Sequence, residues 1–550
     1  MVLDEYPRPQ LVRKDWLCLN GKWYFSVTDS SSIPDEYDSE ILVPFSPESK
    51  LSGISRFVAP NEYMWYFKQL SLPETFKGKR VILHFGAVDC ETTVWVNDQK
   101  VVSHVGGYLP FEADISNYIN QSDIRILVMV RDMSDSSYHS RGKQKIKRGG
   151  IWYTPQSGIW QTVWLEPVPE NYIKKLKITP NFDSKELCLS AEVTGNERAF
   201  TVFDGVRYEL PAVIPVDNYE PWTPENPKLH YFTVRCGEDS VDSYFALRKF
   251  SVGPDENGIK RLLLNNKPYF HNGLLDQGYW QDGMYTAPSD EALIYDIQTA
   301  KDMGFNVLRK HIKVEPLRWY YHCDRLGMIV WQDMINGGEY YKSPVVVWPV
   351  VLNFKLKDSK YALFSRKSEE GRAEFKSELT ELIDHLYNCP CIALWTIFNE
   401  GWGQFDAKEM YSYVKCLDST RIIDHASGWH DQGAGDIVSH HVYFRKYKFK
   451  PDKLGRCVLL SEFGGYNFKI AGHCFNNKNF GYKGYDNPEQ YKEALRKLFQ
   501  EQIKTAKDKG LAGAIYTELT DVEDELNGFI TYDRKAVKLP PEEIKQIISI

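Results

Sequence analysis

Two short stretches of this chain each end an apolar run on a glutamate. CIALWTIFNE, residues 391–400, carries Ile392, Leu394 and Trp395 with no internal Gly or Pro, then stops at Asn399-Glu400 before Gly401. CVLLSEFGG, residues 457–465, repeats the form with Ser461-Glu462 and a glycine pair. Runs of this kind read as strands buried on both faces. In a barrel of parallel strands, their carboxyl ends lie on the face that carries reactive side chains. Either glutamate alone is a general acid/base or an ion-pair partner. Two across one pocket make the pair that glycosidic cleavage requires. One carboxyl group protonates the leaving oxygen, and the other attacks the anomeric carbon or activates water.

The elements that must position the pair begin near residue 254, where strand-like runs start to alternate with helical ones. The candidate strands are PYFHNG (268–273), FNVLRKHI (305–312), MIVWQDM (328–334), CIALWTIF (391–398), RIIDHASG (421–428), DIVSHHVY (436–443), CVLLSEF (457–463) and GLAGAIYTEL (510–519). Helical stripes fall between them: Leu293, Ile294, Ile297 and Ala300 before Gly304, then Phe375, Leu379, Leu382, Ile383 and Leu386. A third opens at Asn487-Pro488 and carries Tyr491, Leu495, Leu498 and Phe499. The pattern predicts one (β/α)8 TIM barrel over 254–550, with Glu400 on its fourth strand and Glu462 on its seventh. The long connection 335–371 is expected to shape the pocket.

Upstream the chain is β-rich. Residues 1–168 hold alternating runs such as RVILHF (80–85) and IRILVMV (124–130), separated by turn residues, and predict a jelly-roll β-sandwich. Residues 169–253, with short strands and regular turns, suit an immunoglobulin-like β-sandwich. The Pro-rich segment 221–227 reads as a rigid connection.

Composition narrows the partners. With 67 basic and 74 acidic residues the net charge is −7, which argues against a dedicated nucleic-acid binder. The basic stretch Arg141 to Arg148 (RGKQKIKR) reads as a solvated loop. No run approaches 18 apolar residues, so no membrane span is expected, and the N-terminus has no apolar core for a signal peptide. The ten scattered cysteines read as free thiols of a reducing cytoplasm. A homo-oligomer is left open.

In chain order the motifs resemble glycoside hydrolase family 2, the family of many β-galactosidases, β-glucuronidases and β-mannosidases. SHVGGYLPFEADIS (103–116) is similar to its sugar-binding jelly roll, and EPWTPENPKLHYFTV (220–234) to its second sandwich. GFNVLRKHI (304–312), CDRLGMIVWQDM (323–334), LWTIFNEG (394–401) and LLSEFGG (459–465) follow in the order of its barrel. The resemblance implies a retaining exo-glycosidase with no cofactor, Glu400 as acid/base and Glu462 as nucleophile. It implies that Asn399 bonds the sugar 2-hydroxyl and that Tyr443 holds the nucleophile. Asp333, His311, Trp429 and Glu518 end other strands and are candidate substrate contacts. No Asn-x-Lys follows the last strand to grip a uronate, so a β-galactoside is the expected substrate. A uronide, including a galacturonide, a mannoside and an arabinoside are the alternatives, and a non-catalytic carbohydrate-binding protein is the alternative of another class. If a uronide were the substrate, Lys310 would be the first residue to suspect. Arg309 reads as a structural charge paired with a carboxylate. Trp280 and Trp402 either stack on sugar or fill loop cores. His425, His440 and His441 are possible metal ligands, although adjacent strand residues face opposite ways, and no metal is expected.

Overall fold

The computed structural model describes residues 2–119, 123–352 and 354–549. Strands between Leu17 and Val168 build a four-stranded and a six-stranded antiparallel sheet and a two-stranded ribbon. The alternation seen in sequence is the alternation of burial: along Asp123–Arg131, Ile124, Ile126, Val128 and Val130 turn inward. They meet Trp23, Phe25, Tyr66, Leu83 and Leu165 in the core between the sheets. A second sandwich, of three and four strands between Tyr172 and Phe245, packs around Ile178, Leu189, Val234 and Phe245.

The barrel strands are β1 (His271–Asp276), β2 (Val307–Lys310), β3 (Ile329–Asp333), β4 (Ile392–Thr396), β5 (Ile422–Asp424), β6 (Ile437–Val442), β7 (Cys457–Gly464) and β8 (Leu511–Thr517). Parallel ladders join them in the order β5-β4-β3-β2-β1-β8-β7-β6, so the seam falls between β5 and β6. All eight runs expected as strands contribute one. The first lies further along than 268–273, because Lys267–Pro268 pairs instead with a hairpin strand beneath the barrel and the ladder to β2 begins at Gly273. That hairpin, Phe250–Pro254 with Lys260–Leu264, closes the amino-terminal end. Its Phe250, Leu262 and Leu264 pack with Trp222 against the interior residues Leu275, Trp331, Leu394 and Leu459. With one end filled, the carboxyl end is the open one.

Three helices follow from their caps and stripes. Ser289 caps α1 (Asp290–Asp302) by accepting from the Ala292 amide at 3.2 Å. Ser368 caps α2 (Glu369–Leu386) through the Gly371 amide at 2.9 Å, and Phe375, Leu379, Leu382, Ile383 and Leu386 are its buried face. Asn487 caps α3 (Pro488–Arg496), with Pro488 in the first turn. The ten cysteines stand as free thiols. Among the described residues, no helix is long and apolar enough to cross a membrane.

Candidate active site

Glu400 leaves β4 through a backbone that few side chains adopt. Its φ is +49° and that of Gly401 is +72°, and its amide donates to the Ser427 carbonyl at 3.0 Å. A Cβ on Gly401 would lie 2.7 Å from the His430 ring, so the tight turn requires glycine. Glu462 is placed by a bulge. His440 pairs with Leu460 and His441 with Glu462, which leaves Ser461 as the extra residue on β7. Such a bulge re-aims the side chains that follow it, here toward the barrel axis.

Tyr443 joins the two carboxyls. Its hydroxyl lies 2.6 Å from Glu462 Oε2 and 3.0 Å from Glu400 Oε1. Having one proton to give, it serves the shorter contact, Glu462. Those two oxygens are therefore no farther apart than the sum of the two contacts. Oxygens of the pair also lie within 4.8 Å of one another in a group that includes His441. His441 Nδ1 is 2.7 Å from Glu400 Oε1, while its Nε2 is 3.1 Å from the Ser427 hydroxyl.

Arg309 organises the other side. Fully buried, it donates to Glu462 Oε1 at 3.0 Å, to Asp333 Oδ1 at 3.0 Å and to Asn399 Oδ1 at 2.8 Å. The last bond fixes the Asn399 amide and leaves its buried Nδ2 without a protein partner. Burial pushes the Glu462 carboxyl up, but His441, Arg309, His311 and the Tyr443 hydroxyl outweigh it and bring it down to about 2. Burial lowers His311, which bonds Asp333 Oδ2 at 2.7 Å through Nδ1. Both Asp333 oxygens are thus taken, and this residue positions Arg309 and His311. Sequence reading paired Arg309 with a carboxylate; the fold gives it two, Asp333 and Glu462.

Of the other expected residues, Trp429 is buried with its ring 6.2 Å from that of His441. Glu518 ends β8 fully buried and bonds neither Glu400 nor Glu462; its Oε2 accepts from Gln277 Nε2 at 2.7 Å. Trp402 stands at the mouth, 5.2 Å from Trp152 and 6.1 Å from His311 between ring centres. Trp280 lies under Arg534 instead, 4.1 Å from the guanidinium. Lys310 faces away from the mouth, held by Asp276 at 2.7 Å and Glu315 at 2.8 Å, so it is spent as an ion-pair partner.

The basic stretch 141–148 is not the solvated loop its composition suggests. Arg141 and Lys143 are buried, and Arg148 bonds Glu523 at 3.1 Å and Asp524 at 3.0 Å. Gly142, at φ +63°, lets this jelly-roll segment run against the barrel: a Cβ there would meet the Tyr285 hydroxyl at 2.9 Å. Residues 335–342 of the long connection receive it. The Asn336 carbonyl accepts the Arg141 amide at 3.0 Å, and the Tyr341 ring lies 5.9 Å from Trp152. Trp152 and Lys143 therefore come to the mouth from another domain, and nothing in their local sequence marks them. Tyr482 was also missed. It stacks on Tyr443 at 4.0 Å with Gly465 behind it.

Of the histidines, His425 bonds Asp431 at 3.1 Å, and His441 reaches the pair. Glu400, His441 and Glu462 are spaced for a metal ion, but Arg309, Tyr443 and the His441–Glu400 bond already occupy the facing atoms. A cation there would have to break the His441–Glu400 bond and displace the Tyr443 hydroxyl. A cavity of about 630 Å³ adjoins the site beside Tyr443, Phe444 and Tyr482. A separate apolar cavity of about 250 Å³, lined by Trp164, Leu293 and Leu317, contains none of these carboxylates.

The chain matches the family model described as the sugar-binding domain of glycosyl hydrolases family 2 over residues 17–169, and that family's TIM barrel domain over 257–460. A putative β-glucuronidase of Formosa agariphila is 27% identical over 402 residues, covering 68% of this chain and 43% of the relative. A β-galactosidase of Thermoanaerobacter pseudethanolicus is 26% identical over 445 residues, covering 74% and 55%. The chain thus spans about half the length of these curated relatives. The solved β-D-glucuronidase of Dictyoglomus thermophilum shares the fold with a TM-score of 0.75 at 19% identity, over 99% of both chains. With both domain models of one family matched in order across more than half its length, the chain belongs to glycoside hydrolase family 2.

Proposed function

We propose that this protein is a retaining exo-β-glycosidase. The observation that carries the reading is the Tyr443 bridge, which holds the carboxyls of Glu400 and Glu462 within two hydrogen bonds of each other. Retaining pairs stand ~5–5.5 Å apart, whereas an inverting pair needs ~6.5–9.5 Å to admit water. Glu462, kept ionised chiefly by His441 and Arg309, attacks the anomeric carbon. Glu400 passes a proton to the departing glycosidic oxygen as that bond breaks. In the second half, Glu400 takes a proton from water, whose oxygen attacks the same carbon and releases Glu462. Asn399 Nδ2, unpartnered in the protein, suits the sugar 2-hydroxyl. Trp152, Trp402 and Tyr482 crowd the mouth, which favours a terminal sugar over a chain threaded through. The named relatives include both β-galactosidases and β-glucuronidases, and our reading is a β-galactoside-like terminal hexoside.

Proton NMR of the first-formed sugar tests the mechanism: the β anomer is expected from a β-glycoside, and an α anomer appearing first overturns it. The two glutamates should also fail differently. Glu462→Gln abolishes turnover of every glycoside. Glu400→Ala spares the first step for a dinitrophenyl leaving group, stalls at the intermediate, and is rescued by azide as the β-glycosyl azide. Equal loss on good and poor leaving groups, with no azide effect, removes Glu400 from the role.

A further inference from the structure

The glycine pair after Glu462 does more than end a strand. β7 stops at Gly464, and the chain then enters a two-stranded parallel ribbon in which Tyr466–Phe468 pairs with Lys483–Tyr485. Tyr482 stands at the entry to the second of these strands. Its amide donates to the Gly465 carbonyl at 3.1 Å, and its ring fills the space that a side chain on Gly465 would take. Gly465 itself sits at φ +66°, a conformation that glycine adopts without steric cost. Two residues before Tyr482, the Phe480 amide donates to the Asp524 carbonyl at 2.7 Å. The Phe480 carbonyl accepts from the Leu526 amide at 3.0 Å and from Asn467 Nδ2 at 2.9 Å. The backbone around Tyr482 is thus tied both to the segment that follows the nucleophile and to the loop after β8.

What this frame presents is one aromatic face. The Tyr482 ring lies 4.0 Å from that of Tyr443 between centres, with the planes 8° apart. Phe444 and Phe480 meet Tyr482 edge-on, at 5.3 and 5.7 Å, and hold its ring in turn. The hydroxyl that bonds Glu462 and Glu400 belongs to Tyr443, so Tyr482 reaches the pair through its ring. Tyr443 needs such a support. It lies just past the end of the β6–β7 ladder, whose last pair is Val442 with Phe463. Both tyrosines line the cavity of about 630 Å³. A side chain outside a ladder, with open space beside it, has other rotamers to visit. A turn of the Tyr443 ring into that space would carry its hydroxyl off both carboxyls.

We infer that Tyr482 is a positioning residue for the reaction: its ring clamps Tyr443 in the orientation that places one hydroxyl on both Glu462 and Glu400. The role rests on the glycosidase reading above. It also accounts for the glycine pair. A side chain on Gly464 would overlap the Tyr516 ring, and one on Gly465 would overlap the clamp itself. The chain can therefore leave the nucleophile's strand, turn, and bring Tyr482 back against Tyr443.

The test is a double-mutant cycle read as kcat/KM for dinitrophenyl β-galactoside. Tyr482→Phe keeps the ring face and should match the wild type. Tyr482→Leu should lose about three- to tenfold, the range of an aromatic contact of this kind. In a Tyr443→Phe background, where no hydroxyl is left to aim, Tyr482→Leu should cost nothing further. A ring that merely supports the fold would lower both backgrounds alike. The inference falls if Tyr482→Phe loses as much as Tyr482→Leu, or if Tyr482→Leu matches the wild type. It falls equally if the loss is the same with and without the Tyr443 hydroxyl. Should the leucine variant fail to fold, Gly465→Ala pushes on the same ring and enters the same cycle. A crystal structure of either variant gives a reading that needs no activity. The Tyr443 hydroxyl should leave hydrogen-bonding distance of at least one carboxyl, and finding it still 2.6 Å from Glu462 and 3.0 Å from Glu400 overturns the clamp. Hydrolysis of no glycoside by the wild type sinks the glycosidase reading instead, and the crystal structure then still decides whether Tyr482 holds Tyr443.

Discussion

Replacing Tyr443 by Phe removes a single oxygen that touches both carboxyls. The lost contact to Glu462 is a 2.6 Å hydrogen bond to an ionised group, and its neighbour at Glu400 is 3.0 Å away. Hydrogen bonds to charged groups contribute about 1.5–3 kcal/mol net, so kcat/KM should fall by about 10- to 150-fold. The same free energy governs the proton on Glu462. This carboxyl is depressed to about 2, and it attacks only when ionised, so activity is present above that value and lost as pH falls through it. Tyr443 ranks after His441, Arg309 and His311 among the groups that lower this carboxyl, so without the hydroxyl the depression shrinks in part and the acid limb of kcat/KM should move up. Stability follows the same sign. A depressed carboxylate stabilises the fold above its unfolded value of about 4.3 and loses that contribution as pH falls, so the variant should unfold in acid sooner than the wild type. The assay is kcat/KM for a dinitrophenyl glycoside from about pH 3 to 8, with acid unfolding followed in parallel. A rate loss below about threefold, with the acid limb unmoved, would refute the view that the Tyr443 hydroxyl helps hold Glu462 ionised.

Gly401→Ala places a Cβ 2.7 Å from His430 at φ +72°. Left-handed strain of about 1–2 kcal/mol should shift Glu400, so kcat should fall on poor leaving groups and much less on dinitrophenyl ones; equal losses on both would contradict this. Trp152→Ala removes an aromatic contact at the mouth worth about 0.5–1.5 kcal/mol, so KM should rise about two- to tenfold with kcat held, and a collapse of kcat would show that the ring does more than form a wall.

The barrel was readable along the chain because its signals are local. A strand buried on both faces must be an unbroken apolar run, and a helix packed on one face must repeat its apolar residues, so β4, β7 and the Phe375–Leu386 stripe declared themselves. Glu400 and Glu462 stood out for the same reason: a charge that interrupts an apolar run has few places to go but the end of the strand. The first strand lies further along than 268–273 because Pro268, read as its start, pairs with the hairpin below.

The rest of the site depends on contacts between residues far apart in sequence. Arg309 bonds Glu462 across 153 positions, and Arg148 bonds Asp524 across 376. No local pattern distinguishes an arginine that will bond a buried glutamate from one that will sit in solvent, since burial and partner are properties of the folded chain. The basic stretch 141–148 shows this plainly. By composition it is a solvated loop, yet Gly142 lets it lie against the barrel, where Lys143 meets the acids that follow β8. The pair of glutamates is written in the strands that carry them. The surroundings that lower Glu462 exist only once Arg309, His311, His441 and Tyr443 from other strands have been brought around it.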